Sequence, residues 1–173
     1  AGMRIESLSI VPMLAMGNAM STFTAQNMGA GKIDRVKEGY RMCYVIVLTA
    51  GAVLCVMYQL AGGAFVSLFL DSGSSEAYSV GLSYVKFLSF FYSFIGLKAS
   101  TDGLLRGAGD VTAFTVANLV NLAIRVSVTN LFAPVYGIQV AWMAVPLGWA
   151  ANYVISFGWY LTGKWKKVRV IKK

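Results

Sequence analysis

Long apolar stretches separated by short polar breaks run the length of this chain. Five of them reach the roughly 20 mostly apolar residues that a helix needs to cross a ~30 Å hydrocarbon layer. They fall at about 4–28, 40–66, 78–101, 112–133 and 137–161. The period-two alternation of a membrane barrel is absent. The pattern therefore predicts an all-α integral membrane chain with five transmembrane helices in residues 1–161 and a basic tail at 162–173. Two of the breaks are alike. Gly29-Ala30-Gly31-Lys32 and Arg106-Gly107-Ala108-Gly109-Asp110 each close one apolar stretch and lead at once into the next.

The connections read as 29–39, 67–77, 102–111 and 134–136, the last opening on Pro134, which stops a helix. Charge gives them sides. The first connection with Arg41, the third connection and the tail together hold eleven of the fifteen Lys and Arg residues, and the second and fourth hold none. Basic connections stay in the cytoplasm. The chain should then begin outside and end with a cytoplasmic C-terminus, as five spans require. Composition agrees, because only 13% of residues are charged, against about 25% in soluble domains. The mean hydropathy is +0.64. The net charge of +8 sits in clusters between apolar runs rather than on a folded face, which argues against a nucleic-acid partner and for the lipid bilayer. The chain opens without a methionine and already inside an apolar segment, so it reads as a fragment.

Lys86 and Arg125 lie well inside predicted spans, where a charge costs at least about 2.5–3.5 kcal/mol and turns toward protein or water. Each is a cavity residue or half of a structural ion pair. Lys86, Ser89, Ser93, Gly96 and Ser100 follow helical spacing and share one face, as do Asn118, Asn121 and Arg125. Such stripes either bond helix to helix or line an aqueous cavity. Lys86, Ser89, Ser93, Asn118, Asn121 and Arg125 are thus cavity or substrate-facing candidates, with Tyr84 and Tyr92 as aromatic contacts. Arg4 and Lys98 fall near span ends, where long side chains snorkel. Glu6 is the one acid inside a predicted span and has two readings, a neighbour-helix pair or a site of cation coupling. Asp102 and Asp110 flank Arg106 in an inner connection and are expected to fix that turn and pair with Arg106.

Asn18, Ser21, Thr22 and Gln26 give the first span a polar inner half, and Gly17 and Ala25 permit close helix approach. Pro12 and Pro146 are candidate kinks. Trp159 and Trp165 are expected to anchor the fifth span at the inner interface. Cys43 and Cys55 lie twelve residues apart on one helix and read as apolar filler. The chain has no histidine, so no His-ligated metal or His base exists. Gly31-Lys32 is followed by Ile33 and lacks the rest of a phosphate loop. No catalytic constellation appears, and no enzyme is expected.

The motifs Arg4-Ile5-Glu6-Ser7-Leu8, Gly17-Asn18-Ala19 and Thr24 to Lys32 with Arg35, then Leu104 to Asp110, then Gly137 to Trp149 and Gly163-Lys164-Trp165 resemble the multidrug and toxic compound extrusion (MATE) family. The resemblance implies part of a twelve-helix, two-lobe transporter. This chain would supply helices 8 to 12 of that architecture, without helix 7 or the N-terminal lobe. Gly29, Gly31, Lys32, Arg106, Gly107, Gly109 and Asp110 would form its inner-loop motifs. It implies efflux of organic cations or drugs from the plasma membrane, with Na⁺ or H⁺ as the coupling ion and no other cofactor. Some branches of the family place a cation-binding acid on helix 10. Here the only charge read inside that helix is Lys86, which argues against a simple carboxylate site. Two alternatives stand beside this reading: a lipid-linked precursor flippase with a basic cavity, and a membrane scaffold that transports nothing.

Overall fold

A computed structural model describes residues 2–69 and 76–167. It is a bundle of six α-helices: α1 (Gly2–Gly29), α2 (Ile33–Ser67), α3 (Glu76–Ser89), α4 (Tyr92–Gly107), α5 (Val111–Tyr136) and α6 (Ile138–Leu161). A short 3₁₀ turn follows at Lys164–Lys167. No strand occurs among the described residues. Among the described residues four helices are long and apolar enough to cross a membrane singly, and α3 with α4, bent by 52° at their break, makes a fifth when the pair is taken as one span. Their outer faces carry Val45, Val53, Val56 and Leu60 on α2 and Val116, Leu119 and Leu122 on α5, all exposed. A soluble domain would not leave such belts in water; in a bilayer they meet lipid.

α4 is the hub. It packs against α1, α2 and α6, and Ile95, Gly96, Ala99 and every residue from Ser100 to Leu105 are buried. Small residues permit the closest crossing. A Cβ on Gly17 would meet the Ala99 carbonyl oxygen at 2.6 Å, and one on Gly103 or Gly107 would run into the backbone of Gly17 or Ser21 on α1. With no hydrophobic gain available between helices in lipid, such backbone proximity is what dispersion and packing reward.

The two alike breaks are one motif built twice. Gly31 N–H bonds to the Met28 carbonyl and Lys32 N–H to Asn27; Gly109 N–H bonds to Arg106 and Asp110 N–H to Leu105. Each is a Schellman helix end, and its second glycine holds the left-handed conformation the motif needs (φ 70° at Gly31, 83° at Gly109). The first connection is consequently just Ala30–Lys32. Asp34, Arg35, Lys37 and Glu38, read above as loop, form the first turns of α2, where Lys37 pairs with Asp34 at 2.7 Å.

Three further expectations are corrected. The span read as 78–101 is broken, although no Gly or Pro stands at Phe90–Phe91. Instead the Lys86 carbonyl accepts from the Ser89 hydroxyl (2.7 Å) and from Gln59 Nε2 of α2 (2.9 Å). Side chains inserted into the carbonyl ladder open a helix there. Next, Pro134 does not end its helix: α5 continues to Tyr136 and stops at Gly137, whose φ is 81°. Finally, Trp165 is fully buried, its ring stacked on Tyr160 and its Nε1 bonded to the Tyr160 carbonyl at 3.0 Å. Trp159 donates to Asp110 at 2.6 Å. Both tie the end of α6 to the bundle, since a buried indole N–H needs a partner.

Candidate substrate and coupling site

The polar side chains of the bundle separate into two centres and one seam. The seam is the stripe Lys86, Ser89, Ser93, Gly96 and Ser100. All five face α2. The Lys86 stem lies beside Gly62, Ser89 meets Gln59 (3.0 Å), and Ser93 fills the space left by Gly51. Gly96 meets Val47, and Ser100 bonds to Cys43 (3.1 Å). The stripe therefore packs helix on helix and stays apart from the Asn118 face. Beside it, Tyr40 and Tyr44 bond to each other and both reach Thr101 (2.7 and 2.9 Å), with Tyr44 extending to Tyr153 at 3.3 Å.

The first centre lies in the half of the bundle away from the Gly-Ala-Gly turns. Tyr84 donates to the Glu6 carboxylate, and its ring meets Trp142 edge-on with centroids 5.4 Å apart. Glu6 and Arg125 both lie within electrostatic reach of the Tyr84 hydroxyl. Arg125 and Asn121 press on Gly148 of α6, and the buried Asn121 Oδ1 has no hydrogen-bond partner. Tyr92, buried against Tyr58 with ring centroids 5.9 Å apart, also lies within electrostatic reach of Glu6 and Tyr84.

The second centre is the more enclosed. Asp102, 4% exposed, stands inside α4 rather than in a connection, and it does not pair with Arg106. Its Oδ2 accepts from Lys98 at 3.0 Å and from Asn118 Nδ2 at 3.3 Å. Its Oδ1 accepts from the buried Ser156 hydroxyl of α6 at 2.6 Å. Lys98 also donates to Asn118 Oδ1 at 3.0 Å. The α4 span thus holds an ion pair, so Glu6 is not the sole acid within the spans, and the half-buried Lys98 turns into that pair rather than snorkelling. Spacing carried the signal: Lys98 and Asp102 stand four apart, as do Asn152 and Ser156, one turn on a shared face. Placing the loop boundary at 101/102 hid it.

A cavity of about 280 Å³ opens beside this pair between α1, α4 and α5, its polar wall made by Asn18, Lys98, Asp102, Arg106 and Asn118. Arg106 spans its mouth, donating to Asn18 Oδ1 (2.7 Å) and Ser21 (3.4 Å) with its guanidinium 5.6 Å from the Phe114 ring centre. Asp110 instead caps α5 through the Ala113 N–H (3.4 Å). Nearer the bend, two apolar clefts that share Met143 are lined by Phe87 and Trp142 and by Phe91, Phe94 and Pro146. Among the described residues no cluster of His, Cys, Asp or Glu could hold a metal ion. Arg4 lies outside the residues whose side chains are described.

The model of the family MatE matches residues 1–145. The chain belongs to the MatE family. It is 28% identical over 168 residues to a protein named probable multidrug resistance protein YpnP from Bacillus subtilis, across 96% of this chain and 37% of that one. It is 23% identical over 172 residues to another from Bacillus subtilis, probable multidrug resistance protein YoeA, across 98% of this chain and 36% of that one. This MatE chain therefore spans a little over a third of the length of these curated relatives. Its fold matches a solved structure described as the inward-facing conformation of a multidrug resistance MATE family transporter of the MOP superfamily. The TM-score is 0.78 at 17% identity, over 87% of this chain and 34% of that one. An all-helical, multi-pass membrane protein of MatE type is the result.

Proposed function

We propose that this chain works as part of a secondary active exporter, moving organic cations or drugs out of the cell in exchange for Na⁺ or H⁺. The carrying observation is the polar cavity beside Asp102, set in a bundle whose helices expose belts of large apolar side chains. Charged groups buried at such cost inside a membrane mark a path for solutes or ions. The aromatic clefts around Phe87, Phe91, Phe94 and Trp142 suit the apolar body of a drug. Glu6, held by Tyr84, is the coupling group: cation occupancy at its carboxylate would change the α1–α3 contact and so bias which side the cavity faces. The rest of a longer protein would close the cavity from the other side. The Lys and Arg distribution supports a cytoplasmic side for the Gly-Ala-Gly turns and the C-terminus, and export from the cell calls for the plasma membrane. On this reading the protein is a transporter and not an enzyme.

The test is drug accumulation in cells stripped of their own multidrug pumps and expressing the full-length protein. Accumulation of a fluorescent lipophilic cation should fall, and should recover when the Na⁺ and H⁺ gradients are both collapsed. Unchanged accumulation for every compound tried would refute export.

A further inference from the structure

We infer that the cavity beside Asp102 binds an acidic group, a carboxylate or phosphate, on the exported compound. This deepens the exporter reading and rests on it for the word "exported". The polar wall holds two cations, Lys98 and Arg106, and one anion, Asp102. The anion is spent: Oδ1 is occupied by Ser156 and Oδ2 by Lys98 and Asn118, and its side chain is 6% exposed. No carboxylate pairs with Arg106 among the described residues, and the next acid along, Asp110, is engaged by Trp159. Arg106 is exposed and, within the protein, bonds only to neutral oxygens on Asn18 and Ser21, so no protein carboxylate offsets its charge.

Geometry makes that charge a receptor. Phe114 stands by the guanidinium, and Asn18 and Ser21 hold it at Nη2 and Nε, leaving its other N–H groups without a protein acceptor. A planar guanidinium fixed this way is preorganised for a two-point bond to a carboxylate or phosphate. A compound with no acidic group gains no bond from Arg106 here, and its apolar or cationic body is left to the aromatic clefts. A zwitterion or organic anion would be drawn in.

The probe is a zwitterionic rhodamine with a free carboxylate, compared with its methyl ester, a plain cation. Equilibrium binding is followed by fluorescence anisotropy with purified full-length protein in micelles of neutral lipid. The free acid should bind at least about tenfold more tightly than the ester, as loss of a hydrogen-bonded ion pair implies. Arg106→Gln should abolish that preference and Arg106→Lys should keep part of it. Asn18→Asp sets a carboxylate against Arg106 without removing it, and should abolish the preference too. Equal binding of acid and ester to the unaltered protein, or an unchanged preference in both Arg106→Gln and Asn18→Asp, would overturn the inference. Displacement of the acid by a few equivalents of phosphatidylglycerol would overturn it as well, by giving the site to lipid phosphate. Because binding is read without transport, a protein that binds the acid but lowers accumulation of no compound in cells would refute export and leave the subsite standing.

Discussion

Removing the Asp102 charge should destabilise the bundle far more than removing the whole Lys98–Asp102 pair. The two groups are 3.0 Å apart, with side chains 13% and 6% exposed. At an effective dielectric of about 20 their attraction is about 5.5 kcal/mol, most of it offset by the cost of taking both charges out of water. Asp102→Asn keeps the shape and most hydrogen bonds but leaves the Lys98 ammonium buried without a counter-charge, at about 3–5 kcal/mol. Lys98→Met strands the carboxylate, softened by Ser156 and Asn118, which still donate to it. The double variant strands neither. A double-mutant cycle, read by reversible unfolding of the full-length protein in mixed micelles, should show the double variant more stable than either single one. The coupling should be about 2 kcal/mol or more. If the single costs simply add to within about 0.5 kcal/mol, the pair is not coupled, and the charge argument for the cavity loses its spent anion.

Gly103→Val should force α1 and α4 apart, because even a Cβ at Gly103 collides with the Gly17 carbonyl. The cost should be about 1–3 kcal/mol, seen as a lower melting temperature in detergent, and wild-type melting would contradict the crossing described. Gln59→Leu removes the donor shared by the Lys86 carbonyl and the Ser89 hydroxyl, so the 52° bend should relax. Spin labels at the exposed Val80 and Val111, in a background lacking Cys43 and Cys55, should then move apart; an unchanged distance would place the cause of the bend elsewhere.

Much of the scaffold was legible because its causes are local. Gly31 and Gly109 were readable as helix ends, since left-handed backbone selects glycine wherever it occurs. Gly17 was readable as a close-approach site and is one. The candidate site was harder. Asn118, Asn121 and Arg125 share a face, yet Asn118 joins Lys98 and Asp102 while the other two press on Gly148. Lys86, Ser89 and Ser93 have the same stripe pattern and turn to α2 instead. Spacing shows that residues share a face. It does not show which neighbour that face meets, and here the two stripes met different ones.

By itself the sequence determined the all-α membrane class, five spans with the bent pair taken as one, the repeated turn and the family. Each depends on a window average or a short motif, and transfer free energy and backbone sterics act on just those lengths. Only the tertiary structure decided that Asp102 is a buried partner of Lys98 and not a loop residue facing Arg106. It also decided that Gln59 opens the α3–α4 bend and that Trp159 and Trp165 serve packing. The reason is distance along the chain. Gln59 reaches Lys86 across 27 residues, Asp102 reaches Ser156 across 54 and Arg106 reaches Asn18 across 88. The worth of each of these contacts depends on what has been desolvated around it, which is settled only when the helices pack.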